Sequence, residues 1–136
     1  MTSSRGVLVL LVACALAPGF GLGSAVGQQS PPTENKAFDA KIESTVDLAP
    51  NFRGYQLRLR TISFEPGGVA GLHGHKDRPS FAYILQGTLT ELRPGGYTKA
   101  VGPGGVITES RDVEHWAENH GTSKVVLIGI DIVKQQ

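Results

Sequence analysis

His73 and His75, separated only by Gly74, are the residues whose types and spacing most directly imply chemistry. On a β-strand, side chains two residues apart share a face with Cβ atoms about 7 Å apart, so both imidazoles can close on one ion through bonds of roughly 2.0–2.2 Å. The same pair also fits two exposed histidines beside a glycine-rich turn, and the spacing alone leaves both readings open. His115 and His120 complete the set of histidines. His120 stands in Asn119-His120-Gly121, a turn context that predicts a surface position. Alternation about His115 sends Glu114, Trp116 and Glu118 to the face opposite His115 and Ala117, so Trp116 is expected to pack rather than to stack a ligand. Cys14 is the sole cysteine, which excludes an internal disulfide.

The elements that must position these histidines read as strands. Runs rich in β-branched and apolar residues occupy residues 42–48, 55–64, 81–85, 88–92, 97–101, 106–108, 113–117 and 125–133, separated by turn signals such as Glu65-Pro66-Gly67-Gly68 and Gly102-Pro103-Gly104-Gly105. With 18 Gly, 8 Pro and no long helix-favouring run, the chain is expected to be all-β, a jelly roll or barrel of eight short strands. The run over residues 124–133 is apolar almost throughout and predicts an inner strand packed on both faces. In residues 55–62, Leu57 and Leu59 alternate with Arg58 and Arg60, so the arginines face either solvent or a polar cavity.

The N-terminus has a different character. Arg5 precedes an apolar run over residues 6–17, and the small residues Gly23, Ser24 and Ala25 follow, the pattern of a signal peptide over residues 1–27. Pro18, Gly19 and Gly21 interrupt the run before the roughly 20 residues a spanning helix needs. Leu11-Val12-Ala13-Cys14 also resembles a lipobox, which would tether the protein through Cys14. Residues 28–40 are polar and Pro-rich at their start and read as a flexible linker, leaving residues 41–136 for one domain. Periplasmic or secreted localisation is expected. The formal net charge of +1, from 13 basic and 12 acidic residues, offers no footprint for nucleic acid or an anionic membrane and favours a small-molecule ligand.

Two stretches carry a family resemblance: Gly67-x5-His73-x-His75-x4-Ser80-x6-Gly87, and Gly104-x10-His115-x3-Asn119. They resemble the two cupin motifs, G-x5-H-x-H-x3,4-E-x6-G and G-x5-P-x-G-x2-H-x3-N. The resemblance implies a cupin-type double-stranded β-helix, a jelly-roll barrel in which His73, His75 and His115 are ligands of a divalent transition metal (Fe, Mn, Ni, Zn or Cu). It also implies a structural role for Asn119 and a homodimer, since small cupins commonly pair through edge strands. Ser80 replaces the motif glutamate, Ser110 the proline and Asp112 a glycine. A serine hydroxyl is a poor metal ligand, so Ser80 is expected to bind substrate or a metal-bound water. Asp77 and Asp112 are the nearby acids weighed as replacement carboxylates. Without one, three neutral imidazoles surround a dication and favour anionic ligands. On the strand over residues 81–85, Ser80, Ala82 and Ile84 are expected to line the cavity, with Phe81, Tyr83 and Leu85 opposite. Arg58 and Arg60 are candidates to hold a substrate anion. Plant cupins are the more distant comparison, because they carry a disulfide. An exported metalloenzyme with dioxygenase-like chemistry on a small anionic or oxygen-rich compound is one implied function, and a non-catalytic binding module is the other. A barrel without metal, with His73 and His75 in a polar turn, is the third reading.

Overall fold

The short alternating runs resolve into eight strands: β1 (Lys36–Asp47), β2 (Tyr55–Gly74), β3 (Ser80–Gln86), β4 (Leu89–Arg93), β5 (Tyr97–Val101), β6 (Val106–Glu109), β7 (Glu114–Glu118) and β8 (Val125–Lys134). The computed structural model describes residues 30–135, so the signal segment and Cys14 lie outside the described residues. Every pairing is antiparallel, in the order β5-β4-β7-β2-β8-β3-β6, with β1 added on β2. The sheet curls into a nearly closed barrel of the jelly-roll kind. Inward-facing Ile62, Phe64, Ala82, Ile84, Ile107 and Leu127 make up much of its core. On β3, Ser80, Ala82 and Ile84 point inward, while Phe81, Tyr83 and Leu85 are exposed. The alternation deduced from sequence therefore holds there.

Three expectations change. Glu65-Pro66-Gly67-Gly68 does not end a strand; β2 runs through it for 20 residues and changes partner, pairing β8 over Tyr55–Phe64 and β7 from Val69 onward. Gly67, at φ 75°, supplies the left-handed residue that this bend needs. Asn119 pins the bend: its side-chain amide donates to the carbonyls of Phe64, Glu65 and Ser123 at 2.8–3.2 Å, which gives the structural role expected of it. The second change is in the stretch assigned to a flexible linker. Strand β1 begins at Lys36, Phe38 packs edge-on against Phe64 with ring centroids 5.1 Å apart, and the Leu72 amide donates to Pro32 O at 2.7 Å. Gly71 permits this approach, because a Cβ there would lie 2.7 Å from Thr33 O. The third concerns β8, which is inner in sheet order but not covered on both faces: Ile130 and Ile132 remain 39% and 38% exposed. An inner strand of a single-walled barrel still has an outward face.

Buried inside the barrel, Asp131 decides where the arginines of β2 point. Arg58 contacts its two carboxylate oxygens at 2.9 and 2.8 Å, Arg60 reaches it at 2.8 Å and Arg78 at 3.1 Å. Arg58 and Arg60 consequently turn inward, and Leu57 and Leu59 face solvent. Burial pushes the Asp131 carboxyl up, but its arginine partners outweigh this and hold it below the ordinary carboxylate range. A depressed folded value stabilises the fold fully above the unfolded value of 3.8 and loses that contribution as pH falls below it. Asp131→Asn should cost about 2–3 kcal/mol in urea unfolding at neutral pH, less than the roughly 3–5 kcal/mol of a fully buried pair because the arginine heads are partly solvated. The difference between variant and wild type should shrink in melts recorded below pH 3.8.

Candidate metal centre

His73 sits near the end of β2 and His115 on β7, and the pairing register sets them directly opposite one another. His75 follows just past β2, where its amide donates to Val113 O at 3.0 Å and so keeps the chain beside β7. The three rings face a common point, with Nε2 of His75 3.0 Å and Nε2 of His73 3.2 Å from Nε2 of His115. Contacts at about 3 Å match the edge of a coordination polyhedron with bonds of roughly 2.1 Å.

The outer nitrogens explain why these rings fit a cation. Nδ1 of His73 donates to Gly71 O at 2.7 Å, and Nδ1 of His75 to Arg78 O at 3.0 Å, with Ser80 Oγ also 3.0 Å away. Nδ1 of His115 faces Glu91 Oε1 at 3.5 Å, beyond a fully formed hydrogen bond but close enough for attraction. Glu91 is itself gripped by Arg93 at 2.7–2.8 Å; burial pushes its carboxyl up, but His115 and Arg93 hold it below the usual range. With protons on Nδ1, all three Nε2 lone pairs converge, which is repulsive unless a positive ion lies between them. Burial lowers His73 and pushes His75 down to about 4, so both are neutral ligands at pH 7. His73, His75 and His115 are accordingly able to hold a metal ion.

The centre opens on a cavity of about 390 Å³. Phe38, Ile62, Phe64, Ala82, Ile107 and Leu127 form its apolar wall, and Arg60, Arg78 and Glu109 stand on its polar side. Burial lowers Arg60 somewhat, but a guanidinium stays charged. Among the described residues its Nε is buried without a hydrogen-bond partner.

Other candidate residues fall differently. Ser80 does not line the cavity; its hydroxyl lies between Nδ1 of His75 and the Glu109 carboxylate, to which it donates, and so supports the site from behind. Asp77 and Asp112 are exposed and away from the cavity. The carboxylate at the centre is Glu109, with Oε1 3.4 Å from His115 Nε2 and Oε2 3.5 Å from His75 Nδ1. This corrects the expectation of a centre without one. Alternation from buried Ile107 places Glu109 inward, a signal missed when the strand is ended at Thr108. His120 is exposed and paired with Glu118; Trp116 also bonds Glu118, at 2.8 Å, away from the histidines.

Comparison with known proteins agrees with this geometry. A germin-like protein of rice, Germin-like protein 4-1, is 30% identical over 105 residues, 71% of this chain and 41% of its own length. The chain thus spans about two fifths of that curated relative. Among solved structures, KdgF from Halomonas sp. superposes with a TM-score of 0.60 at 16% identity, covering 76% of this chain and 88% of that one. The polyketide cyclase RemF from Streptomyces resistomycificus gives 0.59 at 18% identity, covering 76% and 70%. At such identities these structures speak to the fold alone. The Cupin domain profile, however, matches residues 60–133, more than half of the chain and all three clustered histidines, and the chain belongs to that family.

Proposed function

We propose that this cupin binds a divalent transition metal (Fe, Mn, Ni, Zn or Cu) through His73, His75 and His115 and takes a small anionic compound into the adjoining cavity. The observation that carries the proposal is the direction of the imidazoles: each Nδ1 faces a carbonyl or carboxylate, and each Nε2 faces the common centre. Such an ion supplies Lewis acidity, and iron, manganese or copper adds redox capacity. The protein's own contribution is electrostatic. Three guanidinium groups share one carboxylate at Asp131, an excess of two positive charges beside the centre. Arg60 and Arg78 reach the cavity and attract an anion, while the apolar wall accepts its carbon skeleton.

Dioxygenase-like turnover of an anionic or oxygen-rich compound is the enzymatic form of this proposal. Capture without chemistry is the second form, favoured because Glu91 is held by Arg93 and Asp131 by three arginines. Neither is left as a free general base. Export rests on the apolar run over residues 6–17, with Cys14 as an alternative lipid attachment point. A homodimer would cover the outward faces of β3 and β8, where Phe81, Tyr83, Leu85, Ile130 and Ile132 lie exposed on paired strands.

Three measurements test these points. In calorimetric titration the wild type should take up one divalent ion per chain, and His73→Ala or His115→Ala should weaken uptake at least ~100-fold, more than loss of an outer partner does; unchanged uptake in both variants rejects the centre. Metal-loaded protein should bind oxalate or a keto acid, and Arg60→Gln should weaken that binding about tenfold with metal content unchanged, the size expected for losing one charged hydrogen bond. Light scattering should give twice the chain mass, and Phe81→Glu should halve it; a monomer at all concentrations removes the dimer.

A further inference from the structure

We propose that Glu109 is the carboxylate ligand of the metal, so that this barrel carries its acidic donor on β6 instead of on β3. The inference rests on reading the three histidines as metal ligands. Ser80 and Glu109 are direct cross-strand partners in the antiparallel pairing of β3 with β6. Residues directly opposite in such a pair project to the same face with Cβ atoms about 4.5–5.5 Å apart. A carboxylate at position 109 therefore reaches the region that a carboxylate at position 80 would occupy.

The two oxygens of Glu109 are differentiated. Oε2 accepts the Ser80 hydroxyl proton and lies on the outer, Nδ1 side of His75. Oε1 points the other way, 3.4 Å from His115 Nε2; it stands beside the cluster of three imidazole donors, and a small side-chain movement toward them brings it to the ion. Ser80 is thus a positioning residue: its oxygen stands 3.0 Å from His75 Nδ1 while its proton fixes Glu109. The side chain of Glu109 is only 12% exposed, and no arginine neutralises it through a direct ion pair among the described residues. Arg60 acts on it only through space, and an ion at the convergence point of three imidazoles would give this nearly buried carboxylate a direct cationic partner. With it the donor set is three neutral nitrogens and one anion, which lowers a dication's local charge from two to one.

The test uses the full chain, stripped of metal and reloaded with cobalt(II) or manganese(II). Affinity is read by competition with a chromophoric chelator, coordination by the cobalt visible spectrum and manganese EPR, and folding by the melt of the metal-free protein. Glu109→Gln should weaken binding by more than the ~10- to 100-fold that loss of an outer partner costs and change both spectra, with Glu109→Ala as a second variant should the amide perturb folding. The double variant Ser80→Glu/Glu109→Ser, which moves the carboxylate back across the strand pair, should recover most of the lost affinity. A folded Glu109→Gln protein with wild-type affinity and spectra overturns the proposal. If His75→Ala abolishes binding in the same series, the histidine centre stands and Glu109 alone is refuted; a wild type that takes up no metal overturns both.

Discussion

The register between β2 and β7 is the constraint on which the rest of the site depends. It sets His73 opposite His115, and the amide of His75, bonded to Val113 O, carries the second histidine past the strand end to the same point. Slipping that pairing by one residue would send His115 outward and bring Glu114 or Trp116 in. The register is held in turn by Asn119, whose backbone bonds Gly67 and Gly68 and whose side chain closes the bend where β2 leaves β8 for β7. A 20-residue strand serving two partners is what brings histidines from distant stretches of chain together.

A second order is set by charge inside the barrel. Thr45, Arg58, Asp131, Ser80 and Glu109 form one transverse row through the pairings β1-β2-β8-β3-β6. Arg58 and Asp131 neutralise each other along it, and Ser80 hands the polar row on to Glu109 and His75. The adjacent row, Arg60, Gly129, Ala82 and Ile107, is small and apolar except for the arginine. Gly129 leaves room for Ile62 instead: a Cβ there would stand 2.9 Å from Ile62 Cδ1, whereas its 3.6 Å to the Arg60 guanidinium is ordinary contact. Buried charges demand partners, so the interior contains a polar stripe that ends at the histidines, with an apolar wall beside it.

The outward faces follow from the same turn of the sheet. Once Arg58 and Arg60 face in, Leu57 and Leu59 must face out, adding to an apolar exterior on the β2-β8-β3 side. This reverses the ordinary rule over the first part of β2: Asp131, some seventy positions away in sequence, receives the arginines, while Ile62 and Phe64 farther along hold the same face in the core.

Much of this protein is legible in its residues alone. Strand number and most strand limits follow from period-two alternation between glycine-rich turns, a local signal. The spacing about His73, His75 and His115 identifies the metal-capable histidines because it is linked to a motif, even though the turn reading of residues 65–68 breaks the strand that carries His73 and leads into His75. What the sequence could not decide is which face of an alternating strand is buried and which residues lie across from one another. Arg58 and Arg60 go inside because they share a face with buried Ile62 and Phe64 and meet Asp131 there. Phe38 is part of the fold only because Phe64 and Gly71 receive its segment. Glu109 rather than Asp77 or Asp112 is the acid at the centre, because pairing brings β6 alongside β3. Alternation is a property of neighbours along the chain and survives in the sequence; register is a relation between strands tens of residues apart, and only the closed barrel sets it.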